Sequence, residues 1–194
     1  YSDWEQVHGT TPAAIAALIM RRYMHEHGVQ LEQFAEFAIN AHCNARTNPD
    51  AMFRDVLDVT RYAQAGMVAS PVNTFDTAPD ADGAAAMILA ALPGEMQPGL
   101  SVRVVASSLA TDALAVHDRR DILGFTAAKL SADRALQQAG IGPDQIDLAE
   151  LYDRYSVYAA LSLEACGFAR RGAGWRLAGN GAIARAGRLP ISTF

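Results

Sequence analysis

Hydroxyl, carboxylate and guanidinium groups gather in Tyr152-Asp153-Arg154-Tyr155-Ser156, where an apolar run ends in a polar knot and a new pattern begins. Ile146, Leu148 and Leu151 suit a buried strand ending at the knot. Val157, Leu161 and Ala165, with Ala160 and Leu163 beside them, then recur at helical spacing toward Gly167, a helix stop. In open α/β sheets ligands collect outside the carboxyl ends of strands, beside the amino ends of the following helices. The knot is therefore a candidate site. Within it, Asp153 reads as a helix cap rather than a proton carrier. Arg154, Tyr155 and Tyr158 read as surface, helix-face and packing residues, and Glu150 as structural.

Other reactive residue types lead nowhere by spacing. Cys43 and Cys166 lie far apart in helix-period stretches, so they form neither a CxxC metal pair nor a disulfide framework, and they favour a reducing, cytoplasmic setting. His25, His27 and His42 have no second ligand at i+4 on the same face, so no metal site is expected. Gly179-Asn-Gly181 has the wrong context for a phosphate loop and reads as a hairpin-type turn.

The elements that would position the knot can be read in order. Thr11 caps a helix with Pro12 at its first position; Ile15, Leu18, Ile19 and Tyr23 continue one face to a stop at Gly28. Leu31, Phe34, Phe37, Ala38 and Ala41 stripe a second helix, closed by Asn48-Pro49. After a loop from Met67 to Pro79, the small residues of 80–86 lead into Met87-Ile-Leu89, which reads as a buried run. Pro93 to Gly99 is a linker between two apolar runs, and Leu100 to Ala106 alternates like a strand. Residues 126–139 form an amphipathic helix to Gly140, followed by the strand at 146–151. This order predicts an α/β fold with a parallel or mixed sheet.

With 194 residues and 51% hydrophobic content, the chain can bury a substantial core as one domain or as two halves of domains. A net charge of -5 and the absence of a basic tract argue against nucleic acid as a partner. No apolar run approaches the ~18 residues that a membrane-spanning helix needs, and no signal-peptide pattern opens the chain.

Several segments, in order, resemble the second half of a thiolase-superfamily enzyme, in the branch of sterol carrier protein X-like thiolases and acetyl-CoA acetyltransferase-like proteins. They are Asn44-Ala-Arg-Thr-Asn-Pro49, Asp80-Ala-Asp-Gly-Ala-Ala-Ala86, Gly-Phe-Thr-Ala-Ala-Lys at 124–129, and the 138–151 stretch. Leu-Ser-Leu-Glu-Ala-Cys-Gly-Phe at 161–168 and the closing 187–194 complete the set. The resemblance implies a layered αβαβα thiolase-like fold of which only part is present, an interior and carboxyl-half piece of a chain roughly twice as long. Residues 1–93 would be loop-domain helices and the end of the amino-terminal thiolase domain, and 94–194 the first part of the carboxyl-terminal one.

The same resemblance implies acyl transfer on coenzyme A thioesters, of the acetyl-CoA acetyltransferase or 3-oxoacyl-CoA thiolase type. A coenzyme A thioester would be the substrate, with no permanently bound cofactor. The nucleophilic cysteine and a later histidine and cysteine would lie outside this chain, so this piece alone is expected to be inactive. Val7-His8-Gly9-Thr10 resembles the segment contacting the pantetheine arm, which makes His8 and Gly9 candidate binding residues; the alternative for His8 is a histidine that only satisfies its turn. Gly124 and Phe125 would also bind substrate or coenzyme A.

Tyr152 stands where the sterol carrier protein X-like motif His-Asp-Ala/Cys-Phe-Ser has its histidine. A tyrosine there offers an O–H donor, but with a reference pKa of about 10 it is a poor base at neutral pH. That exchange resembles the steroid side-chain aldolases of the superfamily, which cleave a β-hydroxyacyl-CoA. Ser192 stands where many thiolases have asparagine, and could help to hold an active-site water. A third implied reading is a non-catalytic lipid-binding partner of a small OB-fold protein. A homo-oligomer is expected by resemblance.

Overall fold

Thr11 accepts the Ala14 N–H at 3.2 Å and Pro12 opens the first helix, α1 (Pro12–His27), so the local signals at its start act as read. Gly28 closes it in the left-handed conformation. The computed structural model describes residues 4–91 and 102–193. Residues 31–34 form a single 3-10 turn leading into α2 (Ala35–Ala45), which is followed by the short α3 (Val59–Ala63). A small antiparallel hairpin comes next, β1 (Met67–Ala69) against β2 (Val72–Asn73). The remaining helices are α4 (Thr126–Ala139), α5 (Ser156–Ala165) and α6 (Gly174–Gly179).

The core is built on α5. Eight of its residues are buried, on every face of the helix, as a helix surrounded by others requires. One apolar cluster joins it to Ile19, Met20 and Tyr23 of α1, to Phe34 and Phe37, and to Ile183, Leu189 and Ile191 near the end of the chain. Residues on both sides of 92–101 thus share one core. The small side chains of Ala159, Ala160 and Ser162 allow close approach, and Gly174 shows how close. Any side chain there would run into the Ala160 carbonyl.

The predicted strands come out differently. Residues 146–151 form no strand, and their ladder pairing among the described residues is a single parallel bridge, Ala149 to Ile191, with the Ala149 N–H donating to the Pro190 carbonyl at 3.0 Å. A strand buried in a sheet needs backbone partners along both edges. Here the Arg188 guanidinium takes the Asp144 and Ile146 carbonyls instead, at 2.8 and 3.0 Å, and Leu148 is 54% exposed. The expected parallel or mixed sheet through 146–151 is therefore absent among the described residues.

Met87-Ile-Leu89, read as buried, is exposed, with Ile88 at 96%; Val102, Val104 and Val105 are also exposed and lie in no strand. The linker at Pro93–Gly99, with the division placed at 93/94, lies outside the described residues. Gly179-Asn-Gly181 is no hairpin turn: it closes α6, where the Asn180 N–H reaches back to Arg176 and Ala178.

Candidate functional site

The stretch up to Leu151 delivers the knot to the amino end of α5. Tyr152 is 63% exposed there, and the Ser162 hydroxyl donates to its carbonyl at 3.4 Å. Its ring stacks on Tyr158, with centroids 5.9 Å apart and planes 23° apart. Phe125, just ahead of α4, stands edge-on to Tyr158 at 5.5 Å, and buried Tyr155 stands edge-on to it at 5.1 Å. Four aromatic rings thus form one wall. Burial first, then the neighbouring Tyr155 and Tyr152, pushes the Tyr158 phenol up to about 12, so it remains a neutral hydroxyl at physiological pH.

Asp153 does not cap α5. Tyr155 occupies the cap position without a side-chain bond, and the Asp153 carboxylate instead accepts the Ser192 hydroxyl at 2.5 Å. The sequence-distant partner took precedence over the local one. Ser192 has φ of 49°, the left-handed region in a residue with a side chain. Two α2 side chains hold that peptide from behind. Asn40 donates to the Ile191 carbonyl at 3.1 Å, and Asn44 donates to the Ile191 and Ser192 carbonyls at 3.3 and 2.7 Å. Glu150 fixes the next residue, accepting the Thr193 N–H and hydroxyl at 2.9 and 2.6 Å.

A cavity of about 180 Å³ opens beside the Asp153–Ser192 pair, walled by Phe37, Ala41, Phe75 and Ile191, with Asp76 and Ser156 as further polar groups. Asp76 is buried and accepts the Tyr62 hydroxyl at 2.7 Å and the Asn73 N–H at 3.0 Å. Burial raises its carboxyl above the ordinary range against those bonds, and burial together with the Asp76 charge drives the Tyr62 phenol upward as well. Sequence reasoning missed Asp76. Its signal was present in the Asn73-x-x-Asp76 spacing, which forms a reciprocal capping box.

A second cavity, of about 350 Å³, contains Gly124, Phe125, Thr126 and Lys129 with Asp121, Glu164 and Arg171. Arg171 pairs with Asp121 and holds its carboxyl below the usual range. Gly124 leaves room for that carboxylate, since a Cβ there would stand 2.8 Å from its Oδ2.

The structure therefore brings Phe125 and Tyr152 to one aromatic wall, with Gly124 adjoining, and joins Ser192 to Asp153. His8 and Gly9 lie elsewhere, in an exposed turn where the His8 N–H bonds the Glu5 carbonyl and Gly9 is left-handed; neither lines either cavity. Arg154 donates to Asp80 at 2.8 Å, and its carbonyl accepts the Ala78 N–H, tying the knot to the loop before it. No described helix is long and apolar enough to cross a membrane.

Residues 108–194 match the family described as thiolase C-terminal domain-like. The chain is 36% identical over 193 residues to an acetyl-CoA acetyltransferase of Methanothermobacter thermautotrophicus, covering 98% of this chain and 50% of that protein. It is 29% identical over 193 residues to a 17-hydroxy-3-oxo-4-pregnene-20-carboxyl-CoA lyase of Mycobacterium tuberculosis, covering 96% and 50%. The solved structure of the Ltp2-ChsH2(DUF35) aldolase superposes with a TM-score of 0.86 at 23% identity, over 99% of this chain and 52% of that one, a likeness of fold. The chain spans about half the length of the curated relatives it matches. Over nearly its whole length the chain is similar to thiolase-superfamily proteins, and it carries part of a thiolase-like fold.

Proposed function

We propose that this chain is part of a thiolase-like acyltransferase acting on acyl-CoA thioesters, of the acetyl-CoA acetyltransferase or 3-oxoacyl-CoA thiolase type. The observation that carries the reading is the 36% identity, over 98% of the chain, to an acetyl-CoA acetyltransferase. The geometry supports it. Carbon–carbon bond making or breaking beside a thioester builds negative charge on the thioester oxygen, which a positioned donor stabilises. Tyr152 offers an exposed phenol at a helix amino end, braced by the Tyr158 ring. In this reading Tyr152 is that donor, and Ser192 holds a water or substrate oxygen beside it. Gly124, Phe125, His8 and Gly9 contact the substrate and its coenzyme A arm, and the thioester enters as substrate rather than as a resident cofactor. Residues 1–93 serve as loop-domain helices and the end of the amino-terminal domain, and 94–194 begin the carboxyl-terminal domain.

Tyr152 itself favours a second reading, retro-aldol cleavage of a β-hydroxyacyl-CoA. There the β-hydroxyl loses its proton, the bond between the α and β carbons breaks, and the thioester enolate takes up a proton, leaving a carbonyl compound and a shorter acyl-CoA. The similarity to a steroid carboxyl-CoA lyase supports keeping it. A homo-oligomer in the cytoplasm, with a small OB-fold partner protein, fits either chemistry, and the fold likeness to an aldolase named for two components, Ltp2 and ChsH2(DUF35), supports the search for that partner.

The test is the intact mass of the complete protein after incubation with acetyl-CoA, beside a β-hydroxyacyl-CoA cleavage assay. A stable acetyl adduct on a cysteine supports acyl transfer; cleavage without an adduct supports the aldolase. Tyr152→Phe should lower turnover about 100-fold in whichever assay is active, the usual scale for a lost proton donor. Undiminished turnover would remove Tyr152 from the site.

A further inference from the structure

We propose that Asn44, backed by Asn40, is a positioning residue that sets the conformation of Ser192 and thereby the bond between Ser192 and Asp153. The inference rests on the reading above, in which Ser192 belongs to the site. Asn40 and Asn44 are one helical turn apart on α2, so their side chains lie on the same face. Both are buried, Asn44 to 3% exposure, although carboxamides are seldom so enclosed. Their N–H groups converge on two consecutive carbonyls, those of Ile191 and Ser192.

The receiving segment needs such a hold. Ser192 at φ 49° occupies a region that a residue with a Cβ visits at a cost, and such residues persist where their surroundings over-determine them. The Ile191 N–H is fixed by the Ile183 carbonyl at 3.1 Å, so the preceding peptide is held as well. With both carbonyls turned toward α2, the Ser192 hydroxyl faces the knot and reaches the Asp153 Oδ2. Asp153 directly follows Tyr152. A rotation of the 191–192 peptide is thereby coupled to the residue beside the proposed donor.

Only a donor serves at position 44, since both targets are carbonyl oxygens. Asn44→Ala should release Ser192 toward extended backbone and lower kcat about 100-fold with KM little changed, the loss expected from misplacing a catalytic group by about an ångström. Asn40→Ala, which leaves Asn44 in place, should have a smaller effect and gives a second readable variant if Asn44→Ala folds poorly. Two measurements on the complete protein decide the matter. The backbone ¹³C shifts of Ser192 report its conformation independently of activity, and a double-mutant cycle with Ser192→Ala reports coupling in turnover.

Left-handed shifts lost in Asn44→Ala, together with no further fall in kcat when Asn44→Ala is added to Ser192→Ala, are the expected result. Ser192 keeping its left-handed shifts in Asn44→Ala overturns the proposal, and so do independent, multiplying losses in the cycle, which mark a merely structural asparagine. If the shifts move while Ser192→Ala turns over normally, the clamp stands and the placement of Ser192 in the site falls.

Discussion

Replacing Glu164 by alanine should destabilise the protein by about 3–5 kcal/mol, because one carboxylate collects three donors from two distant segments. The Tyr23 hydroxyl donates to Oε1 at 2.5 Å, the Gly174 N–H to the same oxygen at 2.9 Å, and the Gly172 N–H to Oε2 at 2.9 Å. A hydrogen bond to a charged group contributes about 1.5–3 kcal/mol net, and a donor left unpaired in the interior costs about 1–3 kcal/mol. The two backbone groups lie at a partly open turn, where water can replace the carboxylate. Tyr23 is fully buried, so its hydroxyl would be stranded. Burial, followed by the bond to Glu164 and its charge, already drives that phenol far above its ordinary range, so ionisation offers it no escape.

The assay is urea unfolding of parent, Glu164→Ala, Tyr23→Phe and the double variant. With an m-value of about 2 kcal/mol/M, the alanine variant should lose about 1.5–2.5 M of midpoint at constant m. In the Tyr23→Phe background the same substitution should cost about 1–2 kcal/mol less, since the stranded hydroxyl is gone. A Glu164→Ala cost under about 1 kcal/mol, or a cost indifferent to Tyr23, would refute the reasoning, because net hydrogen bonds of ordinary size would then be absent.

Asp76 gives a pH-dependent counterpart. Burial raises its folded-state carboxyl above the unfolded value of about 3.9, so its contribution is fully present below that pH and is lost as pH rises through the folded value. Asp76→Asn, neutral at every pH, should remove that decline from the pH profile of unfolding free energy; a profile of unchanged slope would show that Asp76 does not titrate differently in the two states. Gly174→Ala should cost about 1–3 kcal/mol through overpacking against the Ala160 carbonyl, read as a lower thermal midpoint. An unchanged midpoint would mean that α6 shifts freely on α5.

Local signals were the legible ones. Thr11, Pro12 and Gly28 bound α1 as their chemistry dictates, and the helix at 126–139 closes at left-handed Gly140. The segment after the knot turned helical at Ser156 because its apolar spacing suited a helix enclosed by others. The strand readings failed where the deciding partner is remote. Nothing inside 146–151 says that a single residue, Ile191, will lie beside it or that Arg188 will take its carbonyls. Asp153 looked like a cap because capping is a local rule, whereas its partner Ser192 stands 39 positions away. The positioning role of Asn40 and Asn44 was unreadable for the same reason: an asparagine pair on a helix is mute until the carbonyls it serves are in place. Tyr152 was marked by the knot itself and Phe125 and Ser192 by resemblance, and their aromatic and serine neighbours could be assembled only in three dimensions.

The crowding around α5 also bears on how such a protein could diversify. A helix buried on all faces, whose neighbours approach to the limit of a glycine at position 174, can accept new side chains only by becoming smaller or by displacing whole helices. Variation compatible with folding is thus channelled outward, to the ends of α5 and the segments laid across them. The stretch around Tyr152 and the turn at Ser192 are such segments. In this architecture the rigid centre is the inheritance, and novelty in what is bound or turned over is confined to a rim a few residues wide.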